Sequence, residues 1–339
     1  MTPTGSDTRF KFRDLIYIGI SMPVSLIIYV GGKIYSSATN YNEFTLTPWR
    51  SFLCSLFPFL MCVYGYKRNS INLSGAVSGI IVAILLTVAS PVYLVTLAAF
   101  FFSSSKATKY RQDVKRKIEK DFKVGGQRNW VQVLCNGGVG GFLALCHLIE
   151  CGVGERPVDF ENEYIASWLG VAVMASFACC NGDTWASELG IFSKADPVLI
   201  TSFKKVPRGT NGGVSSWGLF VSFAGGIFIG IFYYIATIIF VDSEVMQSSP
   251  NQYPIILIGG IAGIFGSVVD SYLGALFQFS GLTKEGFVVE NPNEAVKKIS
   301  GSFRILNNHS VNFISCFISS ITIPALSFAL SGFFTYSAQ

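Results

Sequence analysis

The sequence predicts an all-α, polytopic helical membrane protein with about nine transmembrane helices. Half of the 339 residues are apolar and only 13% are charged, whereas soluble domains carry about 25% charged residues. The mean hydropathy of +0.49 points the same way. Backbone polar groups in lipid must be paired within the protein, so long apolar stretches are expected to be helices.

Apolar runs of about 17 to 25 residues mark the candidate spans. In chain order they are Leu15–Val30, Trp49–Tyr66, Ile71–Ala89, Pro91–Phe102, Val131–Ile149, Tyr164–Cys180, Trp217–Val241, Ile255–Phe279 and Val311–Leu330. The fourth run is short, and it either crosses the membrane or re-enters it. In the eighth run, Gly259 and Gly263 have a spacing that permits close helix packing. A broken helix is the alternative there, because Asp270 lies inside that run.

Loop charges predict the orientation of these spans. Lysine and arginine are concentrated in the N-terminal tail, at 67–68, and in segments 106–128, 191–216 and 281–310. The loops at 151–163 and 242–254 are mostly acidic. Under the positive-inside rule, nine crossings place every basic segment in the cytosol. The N-terminus is then cytosolic and the C-terminus lies on the other side, which favours a full crossing by the fourth run.

The chain divides into three parts on this reading. They are the N-terminal transmembrane helices (1–105), a basic amphipathic cytosolic segment (106–129) and a transmembrane catalytic-like core (130–339). Residues 106–123 are interpreted as an amphipathic helix whose basic face lies on anionic headgroups. A solvated helical linker is the alternative. The cysteines show no CxxC spacing, so neither a zinc site nor a disulfide framework is predicted.

Three carboxylates are the predicted catalytic residues. Asp183 and Glu188 stand at the end of the sixth span, and Asp270 lies inside the eighth. An ionisable residue at membrane depth is costly, so it indicates a functional site. Carboxylates together with substrate phosphates hold Mg²⁺ in many proteins, and Asp183 and Asp270 are therefore the predicted Mg²⁺ ligands.

Further polar residues fall at or near the predicted cytosolic ends of the spans. Lysine and arginine neutralise phosphate oxygens, and the amides of a Gly-rich turn before a helix cradle a phosphate. Such residues also occur in helix packing, in helix starts and as snorkelling lysines, and these alternatives stay open. The predicted nucleotide- or phosphate-binding residues are Lys106, Lys109, Asn136, Asn181, Thr184, Arg208, Gly209, Thr210, Asn211, Gly212, Asn308 and Asn312.

Six sequence blocks carry a family resemblance. SSSKATKY, QVLCNGG, NGDTWASELG, VPRGTNGGVS, GSVVDSYLGA and NNHSVN resemble the eukaryotic transmembrane protein 19 family, in its order and from about Gly65 to the end. The wider family includes plant phytyl-phosphate kinases, which make a diphosphate for tocopherol synthesis. The Gly-Asp-Thr pattern is similar, over a shorter stretch, to CTP-dependent polyprenol kinases and CDP-diacylglycerol synthases. The resemblance implies a CTP- and Mg²⁺-dependent site around Asp183.

Residues and resemblance together predict an integral membrane kinase, a phosphotransferase. It transfers a phosphoryl group from CTP or another nucleoside triphosphate to an isoprenoid or lipid monophosphate at a cytosol-facing site. The expected partners are that nucleotide, that acceptor and membrane lipids, with no nucleic acid. The expected location is the endoplasmic reticulum or a related endomembrane. A transporter of a phosphorylated or anionic solute and a non-catalytic membrane scaffold are the alternatives.

Overall fold

The computed structural model is a bundle of α-helices with two small β-sheets at one end. It describes residues 12–39, 46–110, 127–193, 195–284, 286–290, 296–301, 303 and 305–333. Short 3₁₀ turns, Gly190–Phe192 and Ser331–Phe333, follow the sixth and the last helix. The α-helices are α1 (Phe12–Thr39), α2 (Pro48–Lys67), α3 (Leu73–Ala89), α4 (Pro91–Lys109), α5 (Trp130–Cys151), α6 (Tyr164–Leu189), α7 (Ser216–Phe240), α8 (Ser243–Gln247), α9 (Pro254–Phe277) and α10 (Asn308–Ala329).

The strands lie in the two loops that follow α6 and α9. In the first loop, β1 (Val198–Leu199) pairs antiparallel with β2 (Gly213–Val214). In the second, β3 (Ser280–Leu282) is the central strand between β4 (Val288–Val289) and β5 (Lys297–Ser300), and both pairings are antiparallel. The all-α prediction is confirmed for the great majority of the described chain. Strands of two to four residues are too short to show an alternating pattern, so the sequence did not indicate them.

Each predicted span lies mainly within one long helix of the structure. In the described part of the chain, five helices are long and apolar enough to cross a membrane, namely α5, α6, α7, α9 and α10. Helix α3 is apolar but shorter, with 17 residues. The protein is therefore a multi-pass helical membrane protein, whereas the count of nine crossings stays a prediction.

Helix α4 is longer than the apolar run that predicts it. It continues through the Ser103–Lys109 cluster and has 19 residues, which at 1.5 Å per residue span about 28 Å. This is close to the thickness of a bilayer core, about 30 Å, so the geometry favours a crossing over a re-entrant turn. Most of the predicted amphipathic helix 106–123 lies outside the described residues, which stop at 110 and resume at 127.

Helix α6 is the central helix of the bundle. It contacts α4, α5, α7, α9 and α10. In its most apolar window 89% of the residues are buried, against 39–44% for the other four candidate spans. The side chains of Met174 and Phe177 are wholly buried. The helix does not end with the apolar run at Cys180 but continues to Leu189, so the predicted acidic residues are helical.

Three helices approach one another closely beside Asp183. A Cβ atom on Gly182 of α6 would lie 2.7 Å from the Cα of Gly263 on α9 and 2.9 Å from the carbonyl oxygen of Ser222 on α7. Likewise, a Cβ on Gly226 of α7 would overlap the carbonyl of Gly259. Since α9 is continuous, the broken-helix alternative is wrong, and its glycines serve close packing.

The polar clusters of the sequence gather at one end of this bundle. Helices α3, α5, α7 and α10 begin there, and α4, α6 and α9 end there. Each of the four helix starts is capped by a side chain that accepts a hydrogen bond from a backbone N–H in the first turn. The capping residues are Asn72, Asn129, Ser215 and Asn307 respectively. The alternating directions fit successive crossings, and the assignment of this end to the cytosol stays a prediction.

Candidate functional site

The site is built around two carboxylates, Asp183 on α6 and Asp270 on α9. Gly266 of α9 packs directly against Cys179 of α6, and each lies four residues before its aspartate, so the two carboxylates project at the same level from neighbouring helices. Each is partly exposed to solvent although the surrounding helices are closely packed. The hydroxyl of Ser315 on α10 donates to Oδ2 of Asp270 over 3.3 Å. Neighbouring carboxylates repel each other unless a proton or a cation offsets their charge, so this pair is suited to binding a cation.

Asn312 on α10 connects Asp270 to α5. When its amide nitrogen faces the two nearby acceptors, it lies 2.8 Å from the carbonyl oxygen of Asn308 and 3.3 Å from Oδ2 of Asp270. In this orientation the amide oxygen of Asn312 lies 3.2 Å from the atom assigned as Oδ1 of Asn136, so the Asn136 amide must also turn its nitrogen toward Asn312 to donate. This orientation matches donor to acceptor at Asp270. Helices α5, α9 and α10 therefore meet at one polar junction beside the carboxylate pair.

Asn181 holds three helices together two residues before Asp183. Its side chain is wholly buried. The amide nitrogen donates to the carbonyl of Gly225 on α7 over 2.8 Å, and the amide oxygen accepts from the hydroxyl of Ser103 on α4 over 2.6 Å. A buried amide bonded on both sides is structurally important. Asn181 therefore positions Asp183. The geometry favours this structural role over the predicted contact with a ligand.

Glu188 faces a different side of α6 from Asp183. Five residues along an α-helix correspond to a rotation of about 140° beyond one full turn. The charge of Glu188 acts on Arg128, which precedes α5. Burial lowers the pKa of the Arg128 guanidinium, and Glu188 opposes that shift. The predicted trio of catalytic carboxylates therefore separates into a close pair and a third that balances an arginine.

Arg128 is anchored against the end of α4. Its guanidinium donates to the hydroxyls of Ser105, over 2.8 Å, and Ser104, over 3.1 Å. Its backbone accepts from Asn72 and donates to Ser70, which ties the start of α5 to the start of α3. The sequence reading counted Arg128 only among the loop charges. The sequence feature that could have identified Arg128 is its position directly before the capping box of α5, because the capping box holds this part of the chain against the bundle.

The two predicted phosphate-binding lysines differ in their surroundings. The ammonium group of Lys109 donates to the carbonyl of Arg68 over 2.6 Å and to the hydroxyl of Ser70 over 2.9 Å. It thereby links α4 to the turn between α2 and α3, away from the carboxylate pair. Lys106 is exposed at the same end of the bundle. Of the two lysines, Lys106 is the better placed to meet an incoming phosphate.

The predicted Gly-rich turn packs against α9 and the second sheet. Gly212 has a φ of +81°, and a Cβ there would lie 2.7 Å from the carbonyl oxygen of Ser271. The backbone N–H of Asn211 donates to the hydroxyl of Ser280 over 3.0 Å, and its side-chain amide donates to the carbonyl of Phe279 over 3.2 Å. The turn is thus held directly beyond Asp270.

The other residues of this turn are also placed by local bonds. The hydroxyl of Thr210 donates to the carbonyl of Pro207 over 2.7 Å. Gly209 is exposed, with a φ of +86°. The guanidinium of Arg208 donates to the carbonyl of Ile191 over 3.2 Å and lies 4.0 Å from the carboxylate of Asp196. Arg208 is therefore at the rim of this end and not beside the carboxylate pair.

The two remaining predicted residues, Thr184 and Asn308, lie near the carboxylate pair, and their recorded hydrogen bonds go to other groups. The hydroxyl of Thr184 donates to the carbonyl of Cys180 within α6 over 2.7 Å. Asn308 is exposed at the start of α10 and contributes its backbone carbonyl to Asn312. Ser315 was missed by the sequence reading, although its spacing of three from Asn312 puts both on one helix face.

The carboxylate pair is suited to a magnesium ion, which needs few protein ligands, and not to a metal that the protein must surround with three or more side chains. Within the described ranges, no group of three or more His, Cys, Asp or Glu side chains is placed to hold a metal. Asp183 and Asp270 would supply two oxygen ligands to such an ion. Mg²⁺ typically binds through one or two carboxylates and takes its other ligands from water and substrate phosphates. The residues present therefore fit the predicted ion.

The fold and the site define a multi-pass membrane protein whose acidic pair lies at one polar end of a helical bundle. Residues 56–320 match the family model described as Integral membrane protein DUF92. The chain therefore belongs to the DUF92 family of integral membrane proteins.

Curated relatives extend across plants, archaea and cyanobacteria. Protein PGR of Arabidopsis thaliana is 40% identical over 277 residues, which cover 81% of this chain and 96% of the plant protein. An uncharacterized membrane protein of Methanocaldococcus jannaschii is 32% identical over 46% of this chain and 50% of its own length. One of Synechocystis is 34% identical over 42% and 50%. These matches confirm the predicted family, and no solved structure gives a significant match.

Proposed function

We propose that the protein is a membrane kinase that phosphorylates an isoprenoid or lipid monophosphate with CTP or another nucleoside triphosphate. The observation that carries the proposal is the pairing of Asp183 with Asp270 at the polar end of a bundle with an apolar core. Two carboxylates side by side repel each other, and a bound cation offsets that repulsion while both stay ionised. A phosphate-bound metal ion at a membrane surface is such a cation.

Asp183 and Asp270 would hold Mg²⁺ in this proposal. When bound, the ion supplies positive charge that offsets the charge developing on the transferred phosphoryl group. The hydroxyl of Ser315 donates to the Asp270 carboxylate, and Asn312 donates to it as well when its amide nitrogen faces Asp270, so both help to orient it. Asn181 fixes α6 against α4 and α7. Glu188 has the separate role of balancing Arg128.

The reaction needs no strong general base. An oxygen of the acceptor monophosphate, already anionic, forms a bond to the γ-phosphorus of the nucleotide. The bond from that phosphorus to the β–γ bridging oxygen breaks, and its electron pair stays on the leaving diphosphate. The products are a lipid diphosphate and a nucleoside diphosphate. Lys106 and Arg208, at the rim, neutralise nucleotide phosphates, and the turn at Gly209–Gly212 bounds the nucleotide on the α9 side.

The acceptor class follows from the chemistry of the surroundings and from the family. The polar site adjoins helices whose outer faces are apolar, so an acceptor with a lipid tail reaches it from the membrane. The resemblance to phytyl-phosphate kinases points to a prenyl monophosphate. The proposed location is the endoplasmic reticulum or a related endomembrane, with the site open to the cytosol.

The decisive test is phosphoryl transfer by the purified full chain in lipid nanodiscs. The protein is incubated with Mg²⁺, each of the common nucleoside triphosphates and a panel of prenyl monophosphates, and lipid diphosphate is measured. Asp183→Asn and Asp270→Asn should each lower kcat about a hundredfold or more, the magnitude seen when a main electrostatic group is removed. Glu161→Gln is the control, since Glu161 is exposed at the opposite end.

Two outcomes would contradict the kinase proposal. One is the absence of transfer for every pair of nucleotide and acceptor, in protein that remains folded. The other is flux of an anionic solute across proteoliposomes that is lost in Asp270→Asn, with no chemical conversion. That result would support the transporter alternative instead.

A further inference from the structure

Two exposed aromatic rings lie in contact on the outer face of α2 and α4, near the polar end of the bundle. The side chains of Tyr64 on α2 and Phe102 on α4 are 48% and 45% exposed. Their ring centroids lie 5.5 Å apart in an edge-to-face arrangement. Exposed aromatic residues near the end of a span are typical of the level at which a bilayer meets water. The ring pair therefore marks the boundary between hydrocarbon and lipid headgroups on this side of the protein.

Arg68 lies on the polar side of this ring pair, at the end of α2. It follows Tyr64 by four residues, so both side chains project from the same face of the chain. The guanidinium carbon of Arg68 is 5.6 Å from the centroid of the Tyr64 ring. This contact limits the orientations of a charged side chain that is otherwise exposed. A planar cationic donor is thus held at the level expected for headgroups.

Two further cations lie beside Arg68. The ammonium group of Lys109 donates to the backbone carbonyl of Arg68 over 2.6 Å and to the hydroxyl of Ser70 over 2.9 Å. The charges of Arg68 and Arg128 both act on Lys109. Glu188 interacts with Arg128 and so offsets one of these three charges. An anion bound between Arg68 and Lys109 would relieve the repulsion between the other two.

We infer that Arg68 and Lys109, together with the Tyr64–Phe102 ring pair, bind an anionic phospholipid of the surrounding leaflet. The guanidinium binds phosphate oxygens in bidentate fashion. An ammonium group has three donors, of which Lys109 uses two within the protein, and the third meets the same phosphate. The acyl chains lie against the two rings. The inference is independent of the kinase proposal, because this site is on the outside of α2 and α4.

The surroundings of the two cations favour a lipid over a soluble phosphate. A soluble anion would contact the cations alone, whereas a phospholipid also covers the exposed rings with its chains. The leaflet presents such lipids at a high local concentration. Anionic phospholipids are characteristic of the cytosolic leaflet, where basic residues next to a span attract them. The proposed ligand therefore agrees with the predicted cytosolic orientation of the polar end.

A lipid bound here would connect segments that are distant in the sequence. Arg68 stands at the end of α2, and Lys109 is the last residue of α4. The backbone N–H of Arg128, before α5, donates to the carbonyl of Ser70 in the same turn. A ligand that binds only the folded arrangement stabilises it. Phosphatidylserine added to delipidated protein in detergent should therefore raise the thermal midpoint, and phosphatidylcholine should raise it less.

The direct test is photolabelling of the full chain in nanodiscs without nucleotide. The nanodiscs consist of phosphatidylcholine with a small fraction of a phosphatidylserine that carries a diazirine close to its glycerol. The labelled residues are mapped by mass spectrometry, and labels are expected on Tyr64 and Phe102. Unlabelled phosphatidylserine should compete, whereas additional phosphatidylcholine and inorganic phosphate should not.

Two lysine and arginine variants provide the matched comparison. Arg68→Gln should reduce labelling of Phe102 about fivefold, the effect of one basic residue near an anionic lipid surface. Lys205→Gln removes an equal charge from an exposed position in the loop between α6 and α7, at the same end of the bundle. Labelling should change less than about twofold in that control, because Lys205 is outside the proposed site.

A third variant tests the ring without changing any charge. Tyr64→Leu keeps an apolar side chain at this position and removes the aromatic face under Arg68. Labelling of Phe102 should fall about twofold or more, the usual contribution of a cation–π contact. The rise of the thermal midpoint with phosphatidylserine should also be smaller in Arg68→Gln and in Tyr64→Leu than in the unmodified protein.

Four results would overturn the lipid site, whether or not phosphoryl transfer is observed. They are labelling spread evenly over the helices, equal labelling in Arg68→Gln, an equal loss in Lys205→Gln, and competition by inorganic phosphate. The third would show a general attraction to a basic surface, and the fourth a site for a soluble anion. The expected labelling in a protein without phosphoryl transfer would support the lipid site and reject the kinase.

Discussion

The hydroxyl of Ser315 on α10 lies 3.3 Å from Oδ2 of Asp270 on α9. The same hydroxyl also lies 2.7 Å from the carbonyl of Val311 within its own helix. Since a hydroxyl has a single proton, its bond to the carboxylate competes with the bond within the helix. The position of this proton therefore depends on the charge that Asp270 carries.

Ser315→Ala should lower kcat/KM for phosphoryl transfer about tenfold. A hydrogen bond to a charged group contributes about 1.5–3 kcal/mol, and here it orients a proposed metal ligand. The thermal midpoint should change little, because the alanine fits the helix well. Ser320→Ala is the control on the same helix, since the hydroxyl of Ser320 donates only to Phe317. Equal activity of the two variants would remove Ser315 from the site.

Asn181→Ala should lower the thermal midpoint of the protein and have a smaller effect on its Kd for a nucleotide. The change removes the two hydrogen bonds of a wholly buried amide, one to the hydroxyl of Ser103 and one to the carbonyl of Gly225. Each such bond contributes about 0.5–1.5 kcal/mol. The measurement is the thermal midpoint in detergent, with Asn308→Ala at an exposed position as control. A normal midpoint with a weaker nucleotide Kd would show instead that Asn181 contacts the ligand.

The sequence was sufficient to predict the helices and the end of the bundle at which polar residues gather. The length of the apolar runs predicts the helices, and the alternation of basic and acidic loops predicts the polar end. Both can be read directly along the chain. The expectation that Asp183 and Asp270 share one site rested on the polar clusters that lie at the same predicted end of the spans. The roles of Glu188 and Lys109 could not be predicted from the sequence. That of Glu188 depends on the side of α6 that it faces, and that of Lys109 depends on its contact with Ser70 in the turn between α2 and α3.

The direction of the chain in the membrane can be tested independently of activity. The placement of the basic segments predicts a cytosolic N-terminus and, with nine crossings, a C-terminus on the opposite side. A small tag after Gln339 should therefore be protected from protease in sealed microsomes and cleaved after permeabilisation. A tag at the N-terminus serves as the control and should be cleaved in both. Cleavage of the C-terminal tag in sealed vesicles would contradict nine crossings.

Gly182→Ala should destabilise the protein by about 1–3 kcal/mol, the usual cost of overpacking. The added methyl group would lie 2.7 Å from Gly263 and would separate α6 from α9. In contrast, Gly31→Ala in α1 meets no atom within 4 Å. That control should be neutral or more stable by up to about 1 kcal/mol, since alanine favours a helix. Equal midpoints for the two variants would show that the helices at Asp183 are not closely packed.

Gly212→Ala and Gly209→Ala together test whether the turn must contact α9. Both glycines have positive φ angles, +81° and +86°, so each alanine should cost about 1–2 kcal/mol of backbone strain. Only at Gly212 does the new methyl group also overlap Ala275 of α9, whereas at Gly209 the nearest atom is 4.0 Å away.

The expected result is a KM for the nucleotide that rises about tenfold more in Gly212→Ala than in Gly209→Ala. The displaced turn would no longer bound the nucleotide beside Asp270, and the loop between α6 and α7 should be cleaved faster by a protease. Both quantities are measured on the same nanodisc preparation. If the two variants have the same KM, strain alone explains the effect and the contact of the turn with α9 does not serve binding.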